Sequence, residues 1–151
     1  MPSNRGVPID PKTLPKAEFA FPGPFRDQLV AAILNGSKTS TTGLVEEQEY
    51  RREPLPTVGY LSVVIDSDER PVAVIETISV RVAPLARVDL AHAVAEGEGF
   101  TTLSQWRTAH ERFWHSPEMR RALHNPAFTV DDETLVVLER FRVIADLRDR
   151  S

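Results

Sequence analysis

The chain has 151 residues, 41% of them hydrophobic and 26% charged, and a formal net charge of -4, the make-up of one globular domain that buries about two thirds of its surface. It has no cysteine, which excludes a disulfide scaffold, a thiolate metal site and a cysteine nucleophile. The acidic surplus argues against coating duplex DNA and leaves room for a local basic pocket that takes a nucleotide or a short single strand.

Residues 1–24 hold Pro2, Pro8, Pro11, Pro15, Pro22 and Pro24, half of the prolines in the chain. Proline lacks a backbone donor and restricts the residue before it, so this stretch reads as an irregular arm, with Phe19 and Phe21 pinning its end to a single domain over 25–151. In FRDQLVAAILNG the residues Phe25, Leu29, Ala32 and Ile33 fall at helical spacing, and Gly36 supplies the C-terminal cap. The polar EEQEYRREPLP reads as a partly helical turn that feeds a loop. GYLSVVID (59–66) and PVAVIETISVRVAPL (71–85) are rich in Val and Ile and predict strands. VDLAHAVAEGEG starts as a helix capped by Asp89 and breaks at Gly97 and Gly99. Leu103, Trp106, His110 and Phe113 then share a helical face, and DETLVVLERFRVI (132–144) predicts the last strand. Strands and short helices follow no βαβ rhythm, which favours an α+β fold: a small mixed barrel with short helices around its mouth. No apolar run reaches the roughly 20 residues that cross a bilayer, and MPSNRGVPID has no hydrophobic signal segment. A cytoplasmic location is the expectation, and the short apolar helices allow a homodimer.

Four stretches carry candidate chemistry. In NGSKTSTT, Lys38 follows the first helix among Ser37, Thr39, Ser40, Thr41 and Thr42. A lysine there can simply satisfy the last helical carbonyls. Partial burial would instead lower its pKa and make it a base or nucleophile, or, left charged, a phosphate ligand. The spacing is not that of a P-loop. In AEGEGF, Glu96 and Glu98 are either solvated acids at a helix stop or a proton donor and a loose Mg²⁺ site. Trp106, Arg107 and His110 are either core and surface residues or part of a site, and no zinc signature is formed with His92, His115 or His124. In LERF, Glu139 and Arg140 point to opposite faces of a strand. Arg140 is the one assigned to a pocket, where it would reach a phosphate or carboxylate. Tyr50 and Trp114 are candidate stacking surfaces for a base.

In this order, GSKTSTT, LPTVG, RPVAVIETISV, AEGEGF with LSQWRTAHERFW, and VVLERFRV resemble the ASCH domain family of the PUA-like superfamily, in its longer bacterial branch, from about Phe25 to Val143. The resemblance implies a PUA-like barrel of five or six strands with a cleft between barrel and helices, and RNA or nucleotide ligands. In small members that hydrolyse N4-acylated cytidine, a lysine, a threonine three positions later and a glutamate of the acidic loop carry the reaction. Lys38, Thr41 and Glu98 match them. A longer member resembles a metal-dependent ribonuclease on single-stranded RNA. Two departures stand out. Phe100 takes the place of an aspartate of the longer members, and Gly43 stands near where the amidohydrolases carry an arginine.

The resulting expectation is an RNA- or nucleotide-directed protein, first as a ribonuclease using Lys38, Thr41 and Glu98. Ser37, Thr39, Ser40, Tyr50, Trp106, Arg107 and Arg140 would contact substrate, and Mg²⁺ or Mn²⁺ would be held loosely by Glu96 and Glu98. The alternatives are an amidohydrolase on an acylated, modified nucleoside and a non-catalytic RNA- or nucleotide-binding module.

Overall fold

The computed structural model describes residues 10–148. After a 3-10 turn at Pro11–Thr13, the chain forms β1 (Lys16–Ala17), α1 (Pro24–Asn35), β2 (Ser40–Leu44), α2 (Val45–Arg51), β3 (Leu61–Ile65) and β4 (Pro71–Pro84). α3 (Leu90–Ala95), α4 (Leu103–Trp114), α5 (Pro117–Ala122) and β5 (Leu135–Asp146) follow. The strands make one sheet of order β1-β3-β4-β5-β2, antiparallel except for the β1–β3 pair. The α+β class and the ring of short helices are as expected, but the sheet is open rather than closed. β1 and β2 stand at opposite edges, and closure would need them to pair with each other.

The sheet is dominated by β4 and β5, paired from Ala73–Asp146 to Pro84–Leu135, with register shifts at Val74/Ile75 and Thr77/Ser79 that bend the ribbon. Along β5, Val136 and Leu138 enter one core cluster, with Trp106, Trp114 and Met119 from the helices. Phe141, on the other face, enters a second cluster with Phe19, Leu29, Ile33 and Ile75. Burying a side chain such as Phe141 contributes about 2–3 kcal/mol.

Two local readings of the sequence change. STTGL, expected as loop, is strand β2, because threonine suits a pleated edge and β5 offers an unpaired edge to it. α1 is rotated relative to its apolar spacing: Phe25 is 43% exposed, while Arg26 is 1% exposed and faces inward. Three main-chain carbonyls, those of Phe19, Ala20 and Asp66, converge on the Arg26 guanidinium, and Glu18 lies 3.6 Å away. Arg26 thereby fastens residues 18–20 to α1 and to the β3–β4 turn. Among the described residues no helix is long and apolar enough to cross a membrane.

Candidate active site

α1 ends at Gly36, whose φ of 87° is the left-handed conformation that glycine adopts without strain. Its amide donates to Ile33 O and the Lys38 amide donates to Ala32 O, so the chain turns sharply and points the Lys38 side chain inward. Lys38 is 3% exposed. Its Nζ donates to Ser40 O at 2.8 Å and to Glu96 O at 3.4 Å, and lies 3.7 Å from Glu96 Oε1. The acidic loop reaches it because Gly97, at φ 73°, sits against the Ser37–Lys38 peptide. A Cβ on Gly97 would lie 2.5 Å from Ser37 O and 2.7 Å from Lys38 N. The Thr39 amide, donating to Ala95 O at 2.8 Å, closes the same junction.

Glu96 is 2% exposed and densely bonded. Its Oε2 accepts from Trp106 Nε1 at 2.6 Å and from Thr42 Oγ1 at 2.8 Å, and its Oε1 meets His110 Nε2 at 3.2 Å. Burial alone would raise this carboxyl, but the His110 hydrogen bond and charge, with Lys38 and Trp106, hold it at about 2. His110 Nδ1 lies 2.9 Å from Trp106 O. A carbonyl and a carboxylate only accept, so the two contacts are best met when both ring nitrogens donate, which favours the imidazolium form of His110. Burial opposes that charge, and the bond and charge of Glu96 outweigh it, leaving His110 above its ordinary value. The Trp106 ring stacks on it at 4.2 Å, which favours a cation further. The one proton of the Thr42 hydroxyl goes to Glu96, so His92 Nε2, 2.8 Å from Thr42 Oγ1, donates. Burial drops His92 to about 4, against the pull of Glu96 and Asp89, so the ring is neutral at pH 7.

Against this fixed pair stand two groups poised for proton transfer. Burial pushes the Lys38 amine below its ordinary value, against the pull of Glu96 and Glu98. Burial raises the half-buried Glu98 carboxyl, and the Glu96 charge adds to the rise against the pull of Lys38. Lys38, Thr41, Glu96 and Glu98 line a single cleft of about 730 Å³, with His110 and Glu139 on its walls. The amine and acid singled out in the sequence thus share one cavity. Ligand atoms of Glu96, Glu98 and His110 lie within 4.8 Å of one another, the cluster among the described residues that could take a cation. A metal there would have to displace the proton on His110 Nε2.

The other sequence candidates fall outside this chemistry. Ser37, Thr39 and Ser40 donate their hydroxyls to Ala32 O, Ala95 O and His92 O, so they tie the loop down and do not line the cleft. Trp106, 1% exposed, is a core residue that orients Glu96 and offers no face to a base. Tyr50 is exposed and bonds His124. Arg107 is taken by Glu111 and Asp132. Arg140 is exposed, whereas its neighbour Glu139 lines the cleft and accepts from Thr77 Oγ1 at 2.6 Å. The faces of the LERF strand are the reverse of those expected. Thr41 pairs with Glu139 in the β2–β5 register, which puts both on one face. Thr42 stood in the hydroxyl run after Lys38 with nothing to mark it as a partner of Glu96, and His92 gave no sequence signal. His110 did, through its i,i+4 spacing to Trp106.

Comparison with known proteins agrees with this architecture. A protein of Enterococcus faecalis V583 from the DUF984 family superposes with a TM-score of 0.77 at 24% identity, over 90% of this chain and 79% of that one. An ASCH domain of Lactobacillus crispatus JV V101 gives a TM-score of 0.72 at 29% identity, over 85% of this chain and 77% of that one. No curated protein matches the sequence. The ASCH domain family model matches residues 18–145, from the segment held by Arg26 to the end of β5, and the chain belongs to the ASCH domain family.

Proposed function

We propose that the cleft hydrolyses the amide of an N-acylated nucleoside of the N4-acylcytidine type. The observation that carries this reading is the pairing, in one cavity, of a buried amine pushed toward its neutral form with a half-buried carboxyl pushed toward its protonated form. Those are the states that a general base and a general acid need. Neutral Lys38 takes a proton from water, whose oxygen bonds to the acyl carbon. The C–N bond then breaks, and Glu98 delivers its proton to the departing exocyclic nitrogen. Thr41, on the strand beside the base, hydrogen-bonds the attacking water. The ionised Glu96, tied to His110, Trp106 and Thr42, keeps Lys38 in place without competing for the reaction's protons. On the remaining cleft wall Glu18, Glu47, Glu53 and Glu139 outnumber Lys16, Arg26 and Arg51, which suits an uncharged nucleoside better than a polyphosphate chain.

Chromatography after incubation with N4-acetylcytidine tests the reading. Release of cytidine in the presence of a chelator, lost in Glu98→Gln, is the expected result. Absence of product at enzyme concentrations near that of the substrate sinks it.

A second reading, metal-assisted cleavage of single-stranded RNA, is favoured by the Glu96, Glu98 and His110 cluster. Two carboxylates and one imidazole suit Mn²⁺ better than Mg²⁺. That reading requires proton release on Mn²⁺ binding and RNA cleavage abolished by chelation. Stoichiometric nucleoside or RNA binding with no turnover of either substrate points to a binding module.

A further inference from the structure

The catalytic reading leaves one part of the cleft without a task. Gln48 lies on α2, which leaves β2 directly and packs against β2 and β5. Its side chain lines the cleft, and among the described residues its Oε1 is the one buried side-chain polar atom without a hydrogen-bond partner. A buried acceptor with no donor is costly unless something else supplies the donor. Glu139 lines the same cleft on β5, opposite Thr41 in register. Thr77 Oγ1 donates to its Oε2, and no described residue hydrogen-bonds its Oε1. Burial raises the Glu139 carboxyl against the Thr77 hydrogen bond, which favours its protonated, donating form.

We infer that Gln48 and Glu139 form the specificity end of the cleft: Gln48 Oε1 accepts the N–H of the ligand's acylated exocyclic amine, and Glu139 bonds the polar edge of its ring. This rests on the nucleoside reading above and adds the residues that select the base. The ligand class is a neutral heterocycle bearing a secondary amide N–H. A base whose amide nitrogen is fully substituted leaves Gln48 unpaired and is rejected.

Titration calorimetry with N4-acetylcytidine and N4-acetyl-N4-methylcytidine tests this. The Glu98→Gln protein is used so that turnover does not consume the probe. The parent should prefer the N–H-bearing probe by about tenfold, the size of one buried hydrogen bond. Gln48→Leu should lose that preference, and Gln48→Glu, which keeps an acceptor, should retain it. Glu139→Ala should weaken both probes alike. Equal affinity of the parent for the two probes, binding of neither, or a preference that survives in Gln48→Leu overturns the assignment. An unchanged affinity in Glu139→Ala removes that residue from it. Turnover by the wild type is measured separately: selectivity without turnover sinks only the hydrolytic reading, and turnover without selectivity sinks only this one.

Discussion

Two buried cations flank α1, and they do opposite things. Arg26, in its first turn, is 1% exposed and meets three carbonyls. Lys38, just past its last turn, is 3% exposed and meets two carbonyls and a carboxylate. A guanidinium keeps its proton in any protein environment, so Arg26 can only bind and hold. An ammonium loses its proton readily once desolvated, and the cleft around Lys38 lowers its pKa. Burial of the same sign of charge therefore yields a clamp at one end of the helix and a titratable amine at the other.

The comparison breaks most visibly through activity. Lys38→Met should lower turnover of the nucleoside amide by about 10²–10⁴-fold, the range for removal of a general base, and Arg26→Met should leave kcat within about threefold while the protein is folded. Steady-state kinetics at a temperature well below both melting transitions decides this.

Next in size is the contact that brings the acid loop to Lys38. Gly97→Ala introduces a left-handed alanine and a Cβ against the Ser37–Lys38 peptide. It should cost about 3 kcal/mol of stability, readable from urea unfolding, whereas alanine at Gly43, where a Cβ meets nothing within 4 Å, should cost less than about 1 kcal/mol.

Arg26→Met should cost about 2–3 kcal/mol, because it strands the carbonyls of Phe19, Ala20 and Asp66. Limited proteolysis should then cut near residues 18–22 faster than in Lys38→Met.

A further effect is a pH dependence. His92 is neutral in the fold and drops to about 4 from an ordinary 6.5. Below 6.5 the unfolded chain takes up a proton that the folded chain refuses, so the stability His92 contributes is complete above pH 6.5 and lost as pH falls toward 4. The difference in unfolding free energy between wild type and His92→Gln should shrink across that window. A constant difference would show that His92 is charged in the fold.

Much of this architecture was legible in the sequence. α1 with its Gly36 cap, the Val- and Ile-rich strands and the helix break at the paired glycines all follow from local propensity and turn chemistry. The amine and the acid were legible too, as unusual residues at element ends. Their partners were not, because they are fixed by register and rotation. One residue of strand phase decides whether Glu139 or Arg140 enters the cleft. The rotation of α1 that buries Arg26 and exposes Phe25 depends on carbonyls from residues 19, 20 and 66. The hydroxyl run of Ser37–Thr42 looked like a ligand loop, yet most of it serves the backbone, and Thr42 reaches Glu96 only because β2 adds to β5.

The most direct test follows the Lys38 amine itself. The chain has three lysines, Lys12, Lys16 and Lys38, so ¹³Cε resonances can be assigned by comparison with Lys38→Met and followed against pH. The account predicts that the Lys38 signal titrates below the ordinary lysine value of 10.5 and moves lower still when the charge of Glu98 is removed in Glu98→Gln. A midpoint at or above 10.5 would contradict it, because an amine that firmly protonated holds the cleft together and takes no proton from water.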